Sequence, residues 1–138
     1  MTGETNLNRL LAGAQPVLDP ETYVFATTKA EVSLASPAVI GAFRENEGTT
    51  LIAEQQWAED EGMEFIFPCR RITLTIHSSL EAVGLMAAVS SALAAAGIST
   101  NPVSGFYHDH LFVPEKDATR AMTTIETLVA EALIEAAR

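Results

Sequence analysis

Along residues 72–96 the apolar positions change period. Ile72, Leu74 and Ile76 alternate with Thr73, Thr75 and His77, the two-residue repeat of a strand with one buried face. Ala82, Leu85, Met86, Val89, Leu93 and Ala96 then recur at helical spacing, forming the stripe a helix lays against a sheet. Between them Ser78-Ser79-Leu80-Glu81 reads as a capping box, in which Ser78 accepts from the N–H of Glu81 and the Glu81 carboxylate reaches back to Ser78. Gly97 stands where a left-handed C-cap belongs. A strand handing over to a sheet-covering helix commits the chain to layered α+β architecture.

The remaining C-terminal sequence extends that unit. Residues 98–106 read as a strand, with Pro102 marking an edge or a bulge. Tyr107-His108-Asp109 reads as a turn and residues 110–113 as a short apolar strand. Pro114-Glu115 opens a last helix, whose Ala118, Met122, Ile125, Val129, Ala132, Leu133 and Ala136 follow helical spacing. The order is β-α-β-β-α. The N-terminal half is a fainter version: a helix over 7–11, a strand over 23–28, a short helix from Ser36-Pro37 to Phe43, and a strand over 50–53. Glu54-Gln55-Gln56-Trp57-Ala58 echoes Glu115-Lys116-Asp117-Ala118, each after an apolar tripeptide. We therefore expect two related lobes, an abbreviated one over 1–66 and a fuller one over 67–138.

The helix after Glu81 carries no charge on its outer side, where Gly84, Ala87, Ala88, Ser91, Ala94 and Ala95 fall. A surface helix ordinarily places charges there. Small residues let a second layer approach closely, so this face is read either as a subunit or lobe interface or as a surface covered by the chain's own N-terminal helix. A membrane span is excluded on the Ala- and Ser-rich composition and the flanking strands.

Charge narrows the partners. With 18 acidic and 8 basic residues the chain carries −10, and its only adjacent basic pair is Arg70-Arg71, which argues against nucleic acid. A single Cys69 rules out an internal disulfide and fits a reducing compartment. The first 15 residues lack a signal peptide's basic start and apolar run. A cytoplasmic protein is expected.

Catalytic and metal chemistry find little support. His77, His108, Asp109 and His110 offer ligand types for a divalent ion, but no further ligand is convincingly spaced. Arg70 could lower the pKa of Cys69, yet no base or oxyanion motif accompanies it. Trp57 and Phe65 are isolated aromatics that read as packing. No phosphate-binding glycine loop, HExxH or GxSxG occurs. The expectation is a chain with no enzymatic activity, cofactor or metal.

The segments CRRITLTIHSSLEAVGLMAAVSSALAAAGIS and GFYHDHLFVPEKDATRAM, in their β-α-β-β-α order, resemble an ACT domain. The resemblance is to small stand-alone bacterial proteins of two tandem ACT-like lobes. It implies a ferredoxin-like sandwich whose antiparallel sheets are covered by helices, and a non-catalytic regulatory protein that binds a small molecule, usually an amino acid. It further implies a homo-oligomer, expected as a dimer. The alternative is an ACT-like module that has lost its ligand and acts only by assembly.

In that family ligands bind where the first strand of a unit meets its first helix. Carried across, the site comprises Ser78, Ser79, Leu80, Glu81, Val83 and Gly84, with Thr100 and Asn101 of the facing strand as second wall. Gly84 matches the family's glycine, while Ser78 and Ser79 stand where many members carry an acidic residue. Elementary chemistry allows the same location. N–H groups at a helix start attract a carboxylate, glycine permits close approach, and Ser and Asn side chains can hold an ammonium. Equally, Ser78 and Glu81 can serve only as caps and Gly84 only as packing.

Overall fold

Two strands are about twice the usual length and tie the two halves together. The computed structural model describes residues 6–31, 33–77 and 83–138. In chain order they form α1 (Leu7–Gly13), β1 (Pro16–Thr28), β2 (Val39–Glu45), β3 (Gly48–Glu54), α2 (Gln55–Asp60), β4 (Glu64–Leu74), α3 (Leu85–Ala95), β5 (Asn101–Ser104), β6 (Asp109–Pro114), a 3₁₀ turn (Glu115–Asp117) and α4 (Ala118–Ala136). The strands make one six-stranded sheet in the order β2-β3-β1-β4-β6-β5, antiparallel throughout. β1 has 13 residues and β4 has 11, against a usual strand of about 5–6.

The length has a topological use. In the C-terminal half β4, β5 and β6 are joined by β1, giving β1-β4-β6-β5. In the N-terminal half β1, β2 and β3 are joined by β4, giving β4-β1-β3-β2. Each half borrows the other's long strand as its fourth, so the internal repeat read from sequence is a repeat of sheet order. Register shifts between Leu18/Thr22 and Tyr23/Phe25 absorb the change of partner along β1. The second shift faces Phe67, which takes a left-handed φ of 62°, as a bulge that bends its strand requires.

The core is divided between the sheet's faces. On one, Ile72, Leu74, Leu111 and Val113 meet Leu10 and Leu11 of α1, Leu85, Val89 and Leu93 of α3, and Ala121, Ile125 and Val129 of α4. On the other, Tyr23, Cys69 and Phe112 pack with Phe25, Ile40, Ile52 and Phe67, all contributed by strands. α1 begins with Asn6, whose side-chain oxygen accepts from the Arg9 N–H at 3.1 Å.

The helix expected over 36–43 is a strand. Ser36 accepts from the N–H groups of Ala38 and Val39 in one turn, and β2 then pairs with β3 from Val39 to Glu45. Ser36-Pro37 is a fair helix start, but Val39, Ile40 and Phe43 suit a pleated surface, and pairing decided the matter. Other elements differ in extent. β1 begins at Pro16, seven residues before the expected start, and β5 is confined to Asn101–Ser104. The last helix opens as the 3₁₀ turn at Glu115. The helix starting at Ser79 in the sequence reading is seen from Leu85, and the capping box of Ser78 and Glu81, with Ser79, Leu80 and Ala82, lies outside the described residues. Its end is as expected: Gly97 has φ 74°, and the Ile98 N–H donates to Leu93 O at 3.0 Å.

Candidate functional site

β4 ends at Leu74 and α3 begins at Leu85, and the junction between them carries most of the residues expected to bind ligand. Gly84 is the N-cap of α3, with φ 101° and ψ −20°, a left-handed conformation that glycine adopts at no steric cost. Its carbonyl accepts from the Ala88 N–H at 2.8 Å and closes the first turn. A Cβ built there would stand 3.4 Å from Leu7 Cδ2, so α1 lies against this helix start. Val83 projects into solvent, 84% exposed. Ser78, Ser79, Leu80 and Glu81 are outside the described residues.

Thr100 and Asn101 are not brought to this end. α3 is about 16 Å long at 1.5 Å per residue, and both residues follow its C-terminus. Asn101 is level with Phe112, which is level with Arg71, three residues and about 10 Å before β4 ends. Thr100 Oγ1 is turned to Ile98 O at 3.5 Å, and Asn101 is exposed.

The β5–β6 turn takes their place beside the junction. Ser104 pairs with Asp109, which is level with Leu74, so Phe106 and Tyr107 stand at the end of β4. His77 stacks on Phe106 (centroids 6.4 Å apart, planes at 26°) and lies 5.7 Å from Tyr107. Phe106 and Tyr107 meet at 4.9 Å and remain 66% and 59% exposed. The sequence reading placed Phe106 at the end of a strand and Tyr107 in the turn that follows; strand register sets both beside His77.

The outer side of α3 is partly as read. Ala87, Ser91, Ala94 and Ala95 are exposed, whereas Ala88 packs on the core with Met86 and Ala96. Gly84 faces Leu7 of α1, so the N-terminal helix covers only that end.

The other titratable residues have structural partners. Among the described residues no three His, Cys, Asp or Glu side chains gather in metal-binding geometry. His110 Nδ1 lies 2.9 Å from Thr73 Oγ1, and burial, then the charges of Arg71 and His108, pull its pKa down. Asp19 joins the long strands: its carboxylate accepts from Arg71 at 2.7 Å, Tyr23 OH at 2.8 Å and the Glu21 N–H at 2.9 Å. Burial would raise the Asp19 carboxyl, but these bonds outweigh it and hold it below the usual carboxylate range.

Cys69 is fully buried and donates to Tyr23 O at 3.3 Å. Burial, then the charge of Glu115, pushes its thiol up to about 12, the opposite of an activated nucleophile. Tyr23 is likewise pushed up to about 12, by burial and then its bond to Asp19. Both groups ionise more readily unfolded, near their ordinary values of about 8.5 and 10. Their contribution to stability is therefore complete below those values and lost as pH rises toward 12. Urea unfolding at increasing alkaline pH should show this decline, and Cys69→Ala with Tyr23→Phe should flatten it. An equally steep alkaline loss in the double variant would place the titrating groups elsewhere.

Comparison with known proteins supplies the context. One ACT domain family model matches residues 2–70 and a second matches 66–127, overlapping within β4. The crystal structure of a Vibrio cholerae protein of unknown function, described as a possible transport protein, superposes with a TM-score of 0.80 at 41% identity, covering 89% of this chain and 95% of that one. The regulatory subunit of aspartate kinase from Thermus thermophilus superposes at 0.64 with 12% identity, over 85% and 97% of the two chains. That from Thermus flavus superposes at 0.61 with 11% identity, over 82% and 95%, so these two share the fold. No curated protein matches in sequence.

Proposed function

Because the chain belongs to the ACT domain family, we propose that it is a non-catalytic regulatory protein that binds an amino acid at the β4–α3 junction. ACT domains are in general regulatory and amino-acid binding. The observation that carries the proposal for this chain is the left-handed Gly84 cap, which leaves bare backbone at the electropositive start of α3, on a junction whose other end, His77, packs on the exposed aromatics Phe106 and Tyr107. An α-carboxylate fits the N–H groups there. His77, Phe106 and Tyr107 offer ring surface to the rest of the ligand, and Ser78, Ser79, Leu80 and Glu81 complete the site. Thr100 and Asn101 belong to it only if a second lobe or copy brings them to the junction.

Ligand action then follows from differential affinity: an amino acid bridging the junction and a neighbouring surface favours the arrangement that presents both. That neighbour is a second copy, a homodimer being the expected assembly. No described helix is long and apolar enough to cross a membrane, and we place the protein in the cytoplasm on its single reduced thiol. The second reading, a ligand-free assembly module, draws on the small exposed face of Ala87, Ser91, Ala94 and Ala95.

Calorimetric titration with each of the twenty amino acids, beside sedimentation, separates the two. Saturable heat from one or a few, with amide shifts at Val83 and Gly84, is the expected result. An associated protein that binds none of them favours the module and overturns the amino-acid assignment.

A further inference from the structure

Among the described residues the N-terminal half has no helix between β1 and β2, and the space is open. Residues 29–31 and 33–38, on the way from β1 to β2, are not helical. They leave a cleft of about 580 Å³ bordered by Lys29, Glu31, Leu34, Arg44 and Thr49, within the size range of small-molecule sites. An adjoining cleft of about 520 Å³ shares Lys29, Arg44 and Thr49. Register explains the convergence: Thr49 of β3 is level with Thr28 of β1 on one side and Arg44 of β2 on the other. Arg44 and Lys29, the residue after Thr28, thus approach from flanking strands.

The charges there are unspent. The described ion pairs are Arg71–Asp19, Arg120–Asp117 and Arg138–Glu135, and Arg70 donates to Asp19 O. Among the described residues no partner engages the side chain of Lys29 or Arg44. In a chain of 18 acidic and 8 basic residues, two free cations bordering one cleft are an uncommon concentration of positive charge. Glu31 reduces the larger cleft to a net +1, which suits a single carboxylate and is exceeded by a phosphate dianion. Glu45 and Glu47 border the second cleft and balance the two cations there, so the larger cleft is the one with net positive charge. Arg44 can grip a carboxylate with its planar fork and Lys29 as a point charge. Leu34, 57% exposed, adds apolar surface beside them.

We infer that this cleft is a binding site for a small-molecule carboxylate with an apolar tail, its carboxylate held by Arg44 and Lys29. The site is separate from the β4–α3 junction, and neither depends on the other. The test is a titration of the full chain with sodium butyrate, inorganic phosphate and sodium chloride at matched ionic strength, followed by amide shifts at Ala30 and Thr49 and by the Arg44 side-chain N–H. Butyrate should give saturable shifts at these positions, with affinity on the order of millimolar for so small a probe. Arg44→Gln and Lys29→Gln should each weaken it at least about tenfold, and Arg44→Lys should fall between, keeping charge without the fork. Both side chains are exposed, so the variants remain folded. Saturation by phosphate and not butyrate would overturn the carboxylate assignment. Shifts that chloride reproduces, or that persist in the double variant, would overturn the site. Amino-acid binding at Gly84 would be untouched in either event.

Discussion

Phe112→Ala is expected to destabilise the protein by about 3–5 kcal/mol, a large share of the roughly 5–15 kcal/mol that a domain has in total. Phe112 is 2% exposed. It presents edges to Tyr23 at 6.3 Å and to Phe25 at 5.7 Å, both with planes at 89°, geometry that adds about 0.5–1.5 kcal/mol per pair to simple burial. Phe112 comes from β6 while Tyr23 and Phe25 come from β1, so the truncation opens the seam between the halves. Phe25 in turn meets Phe67 at 5.9 Å, which carries the loss into β4. The melting temperature should fall by roughly 10–15 °C. Unfolding in urea should remain a single transition, because β1 and β4 each belong to both halves and neither can leave without opening the other. Two resolved transitions would mean that the shared strands do not couple the lobes. A loss below about 1 kcal/mol would mean that the aromatic face refills the space.

That seam also marks where sequence reasoning stopped. The period change from Ile72-Leu74-Ile76 to Leu85-Val89-Leu93 was legible because it depends on local spacing, and those residues are buried as the pattern requires. The length of β1 was not: the strand was read only over 23–28, and residues 16–22 join it across a register shift that local spacing does not show. Residues 36–43 were misread for a related reason: Ser36-Pro37 is a local helix signal, and the partner that overrode it, β3, begins beyond a turn at Asn46-Glu47. Within the candidate site, order along the chain does not fix height along a strand. Thr100 and Asn101 seemed to face the helix start, yet register sets Asn101 level with Arg71 and brings Phe106 and Tyr107 to His77. Lys29 and Arg44 are fifteen positions apart and meet only through β3.

Gly84→Val should both destabilise the chain and empty the junction, and the two effects have separate causes. Were Gly84 inside the helix, as spacing implied, Val would be a neutral or slightly better helix former. It is instead the left-handed N-cap with φ 101°, where an L side chain costs about 1–2 kcal/mol and a β-branched residue is a genuine outlier. Val is also a poor cap, and its branch would press on Leu7, already 3.4 Å from the would-be Cβ. A total loss of about 2–3 kcal/mol is expected, enough to obscure any effect on ligand. Gly84→Asn resolves the ambiguity: asparagine is one of the few side chains that visit the left-handed region, so stability should stay within about 1 kcal/mol of wild type while a side chain enters the ligand's approach. Melting curves and amino-acid titrations on both variants give the outcome. If Gly84→Asn melts like wild type and no longer binds, the carboxylate sits at the start of α3. If it melts like wild type and binds as well, the ligand lies elsewhere and the junction serves only to fold the chain.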